Sequence, residues 1–325
     1  MTDLLASIDS SAAARRLQGV VRETPLVPFP SGDPRVELRL KLECLQEAGA
    51  FKARGAWNQV SQLTPEERAR GVVATSSGNH ARALAWAAGR AGVRCTVFMP
   101  QDAYPNKVQA CRDEGAEVVL CPTREAAEAA CRERVAAGAV LVHPYDALRT
   151  IEGAGTVGLE VARQWPEVEV VVSPVGGGGL ISGTSIALHR ALGGRVRVVG
   201  VEPAGAPKMT LALERGAPVT LATITTQVQG LCPLNVGGLN LEACRRFVER
   251  VVTLDDAPIL DAQRRLVREA DLTVEPAGAA ATALVLTGGL PAAWLEGRSA
   301  ADPLRVVALV SGGNPDPAQL AALRG

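Results

Sequence analysis

The chain reads as an α/β protein of two doubly wound lobes, each carrying a parallel sheet. Three observations predict this. Short runs rich in Val, Ile and Leu alternate with helical stretches along most of the sequence. The near-continuous apolar content of those runs suits strands buried on both faces, as in parallel sheets. At 325 residues the chain is also long enough to divide its core between two lobes.

The run at 36–42 alternates, with Val36, Leu38, Leu40 and Leu42 on one face. Residues 71–75 form a short apolar strand that ends in a polar turn, and a helix is expected over 79–91. Strands follow at 95–100, 117–120 and 140–143, with a helix at 106–114 between the first two. The remaining strands fall at 169–172, 196–201, 250–254 and 304–310. Alternating βα units on this scale give doubly wound sheets. Ligands of such sheets gather beyond the carboxyl ends of the strands, so the turns there are the first places to look for chemistry.

Composition narrows the function. Apolar residues make up 47% and charged residues 21%, the balance of an ordinary globular enzyme. The formal net charge is zero and no basic block occurs, so nucleic acid and anionic membrane surfaces are not expected partners. No apolar run approaches the ~18 residues of a membrane span. The start, Met1-Thr2-Asp3-Leu4-Leu5, has an early acid and no basic region, so no signal peptide is indicated. Seven cysteines (Cys44, Cys95, Cys111, Cys121, Cys131, Cys232, Cys244) form no C-x-x-C pair; reduced thiols in a cytoplasmic protein are expected. The ten-residue spacing of Cys111, Cys121 and Cys131 fits no zinc pattern, and these read as small core residues.

Lysine is scarce: only Lys41, Lys52, Lys107 and Lys208 occur. An arginine stays protonated and cannot form a Schiff base, whereas a lysine can once burial lowers its pKa. Lys52 lies in Ala50-Phe51-Lys52-Ala53-Arg54-Gly55-Ala56, among apolar and small neighbours. A second stretch, Ser76-Ser77-Gly78-Asn79-His80, turns from strand to helix, where N–H groups can hold a carboxylate. Serine and asparagine also serve as plain helix caps, but this turn is more polar than capping requires.

A third stretch, Gly176-Gly177-Gly178-Gly179-Leu180, sits between a strand and a helix and suits a phosphate, because no side chain keeps the anion from the backbone. A Walker A loop fails, since no lysine follows Gly183. The strict dinucleotide fingerprint fails as well, since glycines at i, i+2 and i+5 never coincide, although Glu202 stands where a ribose-binding acid would. A last turn, Ser311-Gly312-Gly313-Asn314, follows the strand at 304–310.

The set A-F-K-x-R-G-A, S-S-G-N-H-A, G-G-G-G-L, V-E-P-A-G-A and S-G-G-N, in this order from about residue 24 to 314, resembles the threonine/serine dehydratase and serine racemase family. These are pyridoxal 5′-phosphate enzymes of fold type II, the class of the tryptophan synthase β chain. The resemblance implies a large cofactor-binding domain of residues 1–70 and 149–325 and a small domain of residues 71–148. It implies that Lys52 carries the cofactor covalently, with Phe51 beside the ring. Gly176, Gly177, Gly178 and Gly179 would bind the phosphate, Asn79 the 3′-oxygen, and Ser311 would face the pyridine nitrogen. Glu275, in V-E-P-A-G, matches a family acid near the cofactor. Ser76, Ser77, Gly78, Asn79 and His80 would hold the substrate carboxylate, and Ser77 could exchange a proton opposite Lys52.

A hydroxyl at the ring nitrogen leaves it neutral and favours rapid β-elimination over a long-lived carbanion. The activity implied is therefore an ammonia-lyase converting L-threonine or L-serine to a 2-oxo acid and ammonia. Alternatives remain open at this level: a serine racemase, a lyase for 3-hydroxyaspartate or another β-substituted amino acid, a silent binding relative, or a nicotinamide-dependent oxidoreductase using the glycine turn. The family also implies a homodimer or tetramer.

The chain departs from the family at several places. Ala50 replaces a usual Ser, Ala154 a common Gln, and Arg82 a typical Gln. Gln227-Val228-Gln229-Gly230 stands where an Asp-Gly pair is usual. Members stimulated by a divalent cation use two acids and a carbonyl after the V-E-P strand. Glu202 matches the first acid, but Lys208 occupies the second position, and its ammonium is expected to replace the cation, so no metal is expected.

Overall fold

The structure, a computed structural model, describes residues 3–325. Ten strands occur among them: β1 (Leu26–Phe29), β2 (Val36–Lys41), β3 (Val72–Thr75), β4 (Cys95–Pro100), β5 (Glu117–Cys121), β6 (Val140–Leu141), β7 (Val170–Pro174), β8 (Arg197–Pro203), β9 (Arg250–Leu254) and β10 (Leu304–Leu309). They form two sheets, one of four strands in the order β5-β4-β3-β6 and one of six in the order β1-β2-β10-β7-β8-β9. All pairings are parallel except β1 with β2.

The sequence pattern explains this layout. All five residues of β7 are buried, as its Val-Val-Val core requires in a strand covered by helices on both sides. In β2, Val36, Leu38 and Leu40 face the core while Glu37 and Arg39 remain partly exposed. Most expected strands agree with the observed ones to within two residues. The antiparallel β1 was not legible, because Pro25 precedes it and Pro28 interrupts it; an edge strand tolerates proline where an interior one does not. Six of the seven cysteines are buried and all are unpaired, with Cys232 partly exposed.

The helix Lys52–Val60 joins the two sheets physically. Its Ala53, Ala56 and Val60 pack in one apolar cluster with Val72, Ala74 and Val97 of the four-stranded sheet. Its opposite side holds a buried charge cluster. Arg54 donates to Glu43 at 2.8 and 2.7 Å and to Glu160 at 2.6 and 2.9 Å, and Lys41 donates to Glu160 at 2.6 Å. The helix start is thereby fixed against both β2 and the helix Leu148–Gln164.

Candidate active site

Among the described residues three helices begin at a glycine that offers no side-chain cap; at Gly238–Phe247 the carboxylate of Asp146 takes the first N–H groups, which leaves two such starts open. Gly78 precedes the helix Asn79–Ala91, and Gly178 precedes the helix Gly179–Leu192. Each follows the carboxyl end of a central strand, β3 in one sheet and β7 in the other. Open N–H groups and the positive end of the helix dipole make each start an anion site. Among the described residues, the N–H groups of Gly176, Gly177 and Gly178 have no hydrogen-bond partner. Gly178 takes φ +98°, a backbone conformation that a side chain would strain.

The amine of Lys52 lies near both. Nζ donates to the carbonyl of Pro144 at 2.6 Å and, among the described residues, is paired with no carboxylate. Part of the side chain remains accessible, yet burial of its amine end lowers the pKa from 10.5 to about 8. A buried amine with no acid to hold its proton is the state a nucleophilic lysine needs. The positive charge of Lys52 helps to hold the buried imidazoles of His80 and His143 neutral.

The segment 143–146 was missed by sequence reasoning. Tyr145 lays its ring on the glycine turn: a Cβ on Gly177 would come within 2.3 Å of the ring carbons. Its hydroxyl donates to Asn235 at 2.6 Å, and burial raises its pKa to about 12. His143 Nδ1 accepts from the N–H of Asp146 at 2.8 Å, and Asp146 accepts from Gly238 and Leu239 at the next helix start. Asn240 donates to the carbonyls of Tyr145 and Gly177, tying turn and segment together. The available signal was the rarity of aromatics, since this chain has only two tyrosines.

On the opposite side, Ala50 bridges to Gly312 and the N–H of Phe51 donates to the carbonyl of Ser311 at 3.1 Å. The Lys52 loop and the turn after β10 are therefore adjacent. Ser311 is buried, and its hydroxyl donates weakly to the Ala277 carbonyl at 3.5 Å. Asn79 donates to Glu275, whose carboxyl is buried and has its pKa raised by that burial. The N–H of Glu275 donates to the Gly312 carbonyl at 3.1 Å.

Contacts thus link Phe51 to Ser311, Glu275 to Gly312 and Asn79, and Lys52 through Pro144 to the segment whose Tyr145 packs on the glycine run. Ser76 accepts from the N–H of Gly78 at 3.2 Å and stabilises the loop that carries Ser77. The side chain of His80 points away from the turn. Its imidazole is buried against the Val142 carbonyl at 2.8 Å, and burial drops its pKa to about 3, so it stays neutral. Only its backbone N–H, in the first turn of the helix, can face an anion.

Lys208 and Glu202 are also buried completely. The Lys208 ammonium donates to the carbonyls of Ala206 and Leu231, each at 3.0 Å, and lies 3.6 Å from Glu202. Glu202 accepts from the N–H groups of Met209 and Thr210 at 3.1 and 2.8 Å. Met209 in turn packs against Gly178.

The paired anion sites and the unpaired amine fit a phosphate-bearing aldehyde and an amino acid. Residues 17–312 match the family described as pyridoxal-phosphate dependent enzyme. The chain is similar to an L-threonine ammonia-lyase of Thermotoga maritima, 39% identical over 313 residues, or 95% of this chain and 75% of that protein. It is 38% identical to a phenylserine dehydratase of Ralstonia pickettii over 326 residues, covering 98% of this chain and 97% of that one. Among solved structures, maize serine racemase matches with a TM-score of 0.89 at 34% identity, covering 97% of this chain and 95% of that chain. A match this extended, over a cleft with these groups, shows that the chain belongs to the pyridoxal-phosphate dependent enzyme family, with the fold type II architecture and pyridoxal 5′-phosphate as its cofactor.

Proposed function

We propose that this chain is an ammonia-lyase that converts L-threonine and L-serine to the 2-oxo acid and ammonia. The observation that carries the reading is the buried Lys52 amine, paired with no carboxylate and bonded to the Pro144 carbonyl next to Tyr145, which packs on the glycine run. Lys52 would hold the cofactor, with Phe51 beside the ring. The N–H groups of Gly176 to Gly179 would take the phosphate, and Asn79 would donate to the 3′-oxygen beside Glu275. When bound, the cofactor supplies the electron sink that loosens bonds at Cα.

The substrate carboxylate would rest on the turn 76–80, which fixes which Cα bond faces Lys52. Once released, the neutral Lys52 amine takes the Cα proton and returns it to the departing β-hydroxyl, which leaves as water. Neutral His80 adds no competing charge, and Ser311 would turn its hydroxyl from the Ala277 carbonyl to the ring nitrogen, offering a hydrogen bond without a full proton. Net balance is amino acid to 2-oxo acid plus ammonia, with the water lost in elimination regained in hydrolysis.

Two relatives guide the substrate reading. The similarity to an L-threonine ammonia-lyase supports small β-hydroxy amino acids. The phenylserine dehydratase has nearly the same length as this chain, which supports a second reading in which the β-substituent is aromatic. A panel of L-serine, L-threonine, threo-3-phenylserine and 3-hydroxyaspartate tests both readings by 2-oxo acid release. D-serine formation, measured alongside, tests racemisation through Ser77. Absence of oxo acid from every member would overturn the lyase reading.

We also infer that the Lys208 ammonium replaces a divalent cation, because it draws two carbonyls and Glu202 together at full burial. Activity is then expected to be unchanged by a chelator; its loss would contradict this. The segregation of β3 to β6 into their own sheet supports a small domain near residues 71–148 against a large domain of 1–70 and 149–325. Ala53, Ala56 and Val60 add to the smaller core while Arg54 ties the same helix to Glu43 and Glu160, so helix Lys52–Val60 would bridge the two domains. Unpaired, mostly buried thiols support work in the cytoplasm, and family likeness supports a dimer or tetramer. Sedimentation of the purified chain tests the assembly.

A further inference from the structure

Arg82 lies on the helix Asn79–Ala91, one turn after Asn79. It donates through Nη1 to Asn314 Oδ1 at 2.6 Å. The amide nitrogen of Asn314 donates to Asn79 Oδ1 at 2.8 Å and to the Ala48 carbonyl at 2.9 Å. Asn79 then donates through its own amide nitrogen to Glu275. The four side chains form one chain of hydrogen bonds from a guanidinium to a buried carboxyl.

We propose that Arg82 is a positioning residue that fixes the side-chain amide of Asn79 as a donor toward the cofactor's 3′-oxygen. A guanidinium has donors only, so the Asn314 oxygen must face it. The Asn314 nitrogen must then face Asn79, and the Asn79 oxygen is consumed there. What Asn79 retains is its NH2 group, with one hydrogen on Glu275 and the other free. An amide or hydroxyl at position 82 is both donor and acceptor and makes no such demand, so the Ala48 carbonyl alone would then hold the Asn314 nitrogen in place. An arginine adds a second constraint at the other end of the same amide. Charge at one end also polarises each successive link, which strengthens the last donor.

The proposal deepens the reading above, in that it takes Asn79 as the partner of the 3′-oxygen. Its test is the visible absorption of the cofactor-loaded protein at one fixed pH, with the cofactor dissociation constant and kcat and KM measured alongside. Arg82→Met is expected to shift the balance of the absorption bands, weaken cofactor binding on the order of 10-fold, and lower kcat with KM little changed. Arg82→Lys, which keeps a cationic donor, is expected to return near the parent on all three. Asn314→Asp keeps the acceptor for Arg82 but cannot donate to Asn79; it is expected to shift the bands away from the parent, which supplies the test where Arg82→Met does not fold, and parent bands in it would overturn the proposal.

An Arg82→Met protein with parent bands and parent cofactor affinity would overturn the proposal. So would an Arg82→Lys protein as damaged as Arg82→Met, because packing rather than donation would then be the role. Failure of the cofactor to bind the parent at Lys52 is a different outcome and would strike the functional reading instead.

Discussion

Lys52 and Arg54 are two residues apart at the start of one helix, yet their surroundings are opposite. Arg54 is wholly buried with Glu43 and Glu160 on its guanidinium, and Lys41 shares Glu160. Lys52 faces the cleft with one carbonyl and no carboxylate. Burial disfavours charge at both places. Around Arg54 the acids outweigh it and raise the pKa further, whereas at Lys52 nothing opposes it and the pKa falls to about 8. The difference teaches that the helix start is anchored by charges that cannot react, and that this leaves a neighbouring amine free to do so.

Removing the amine is the largest break in that comparison. Lys52→Ala is expected to cut 2-oxo acid formation on the order of 1000-fold or more, with secondary structure by circular dichroism unchanged. Equal activity in the two proteins would end the comparison. Arg54→Met attacks the other side. It leaves Glu43 buried without its cation, and a loss of about 3–5 kcal/mol in urea unfolding is expected. Arg54→Lys keeps charge but loses the fork, so it should fall between.

The smallest effect is in pH dependence. The neutral amine is the reactive form, and its fraction climbs as pH rises toward the folded pKa. Covalent capture of pyridoxal 5′-phosphate by the apoprotein should accelerate up to about pH 8 and level off above it. At pH 7 the reactive fraction is roughly one-tenth. A rise that continues to 10.5, the ordinary lysine value, would show that burial does not tune Lys52. In the absence of cofactor the sign for stability is the same: between about 8 and 10.5 the unfolded chain binds the extra proton, so this lysine's contribution increases with pH there.

The motifs were legible because glycine, serine and lysine at strand ends advertise local chemistry. The glycine run at 176–179 and the polar turn at 76–80 are local facts of the sequence, visible before any tertiary contact. Long-range partners were not. Lys41 looks like an exposed alternation in β2, and only the fold reveals Glu160 beside it, 119 positions away. Tyr145 reaches the glycine turn by tertiary packing, and nothing in its neighbours announces that. The direction of the His80 side chain was not legible either: a polar side chain in a polar motif points into the core.

The most direct test is to load the protein with cofactor, reduce it with borohydride, and map the modified peptide across the four lysines. The account predicts the label on Lys52 and none on Lys41, Lys107 or Lys208. A label on any of those three, or an unmodified Lys52, would contradict it.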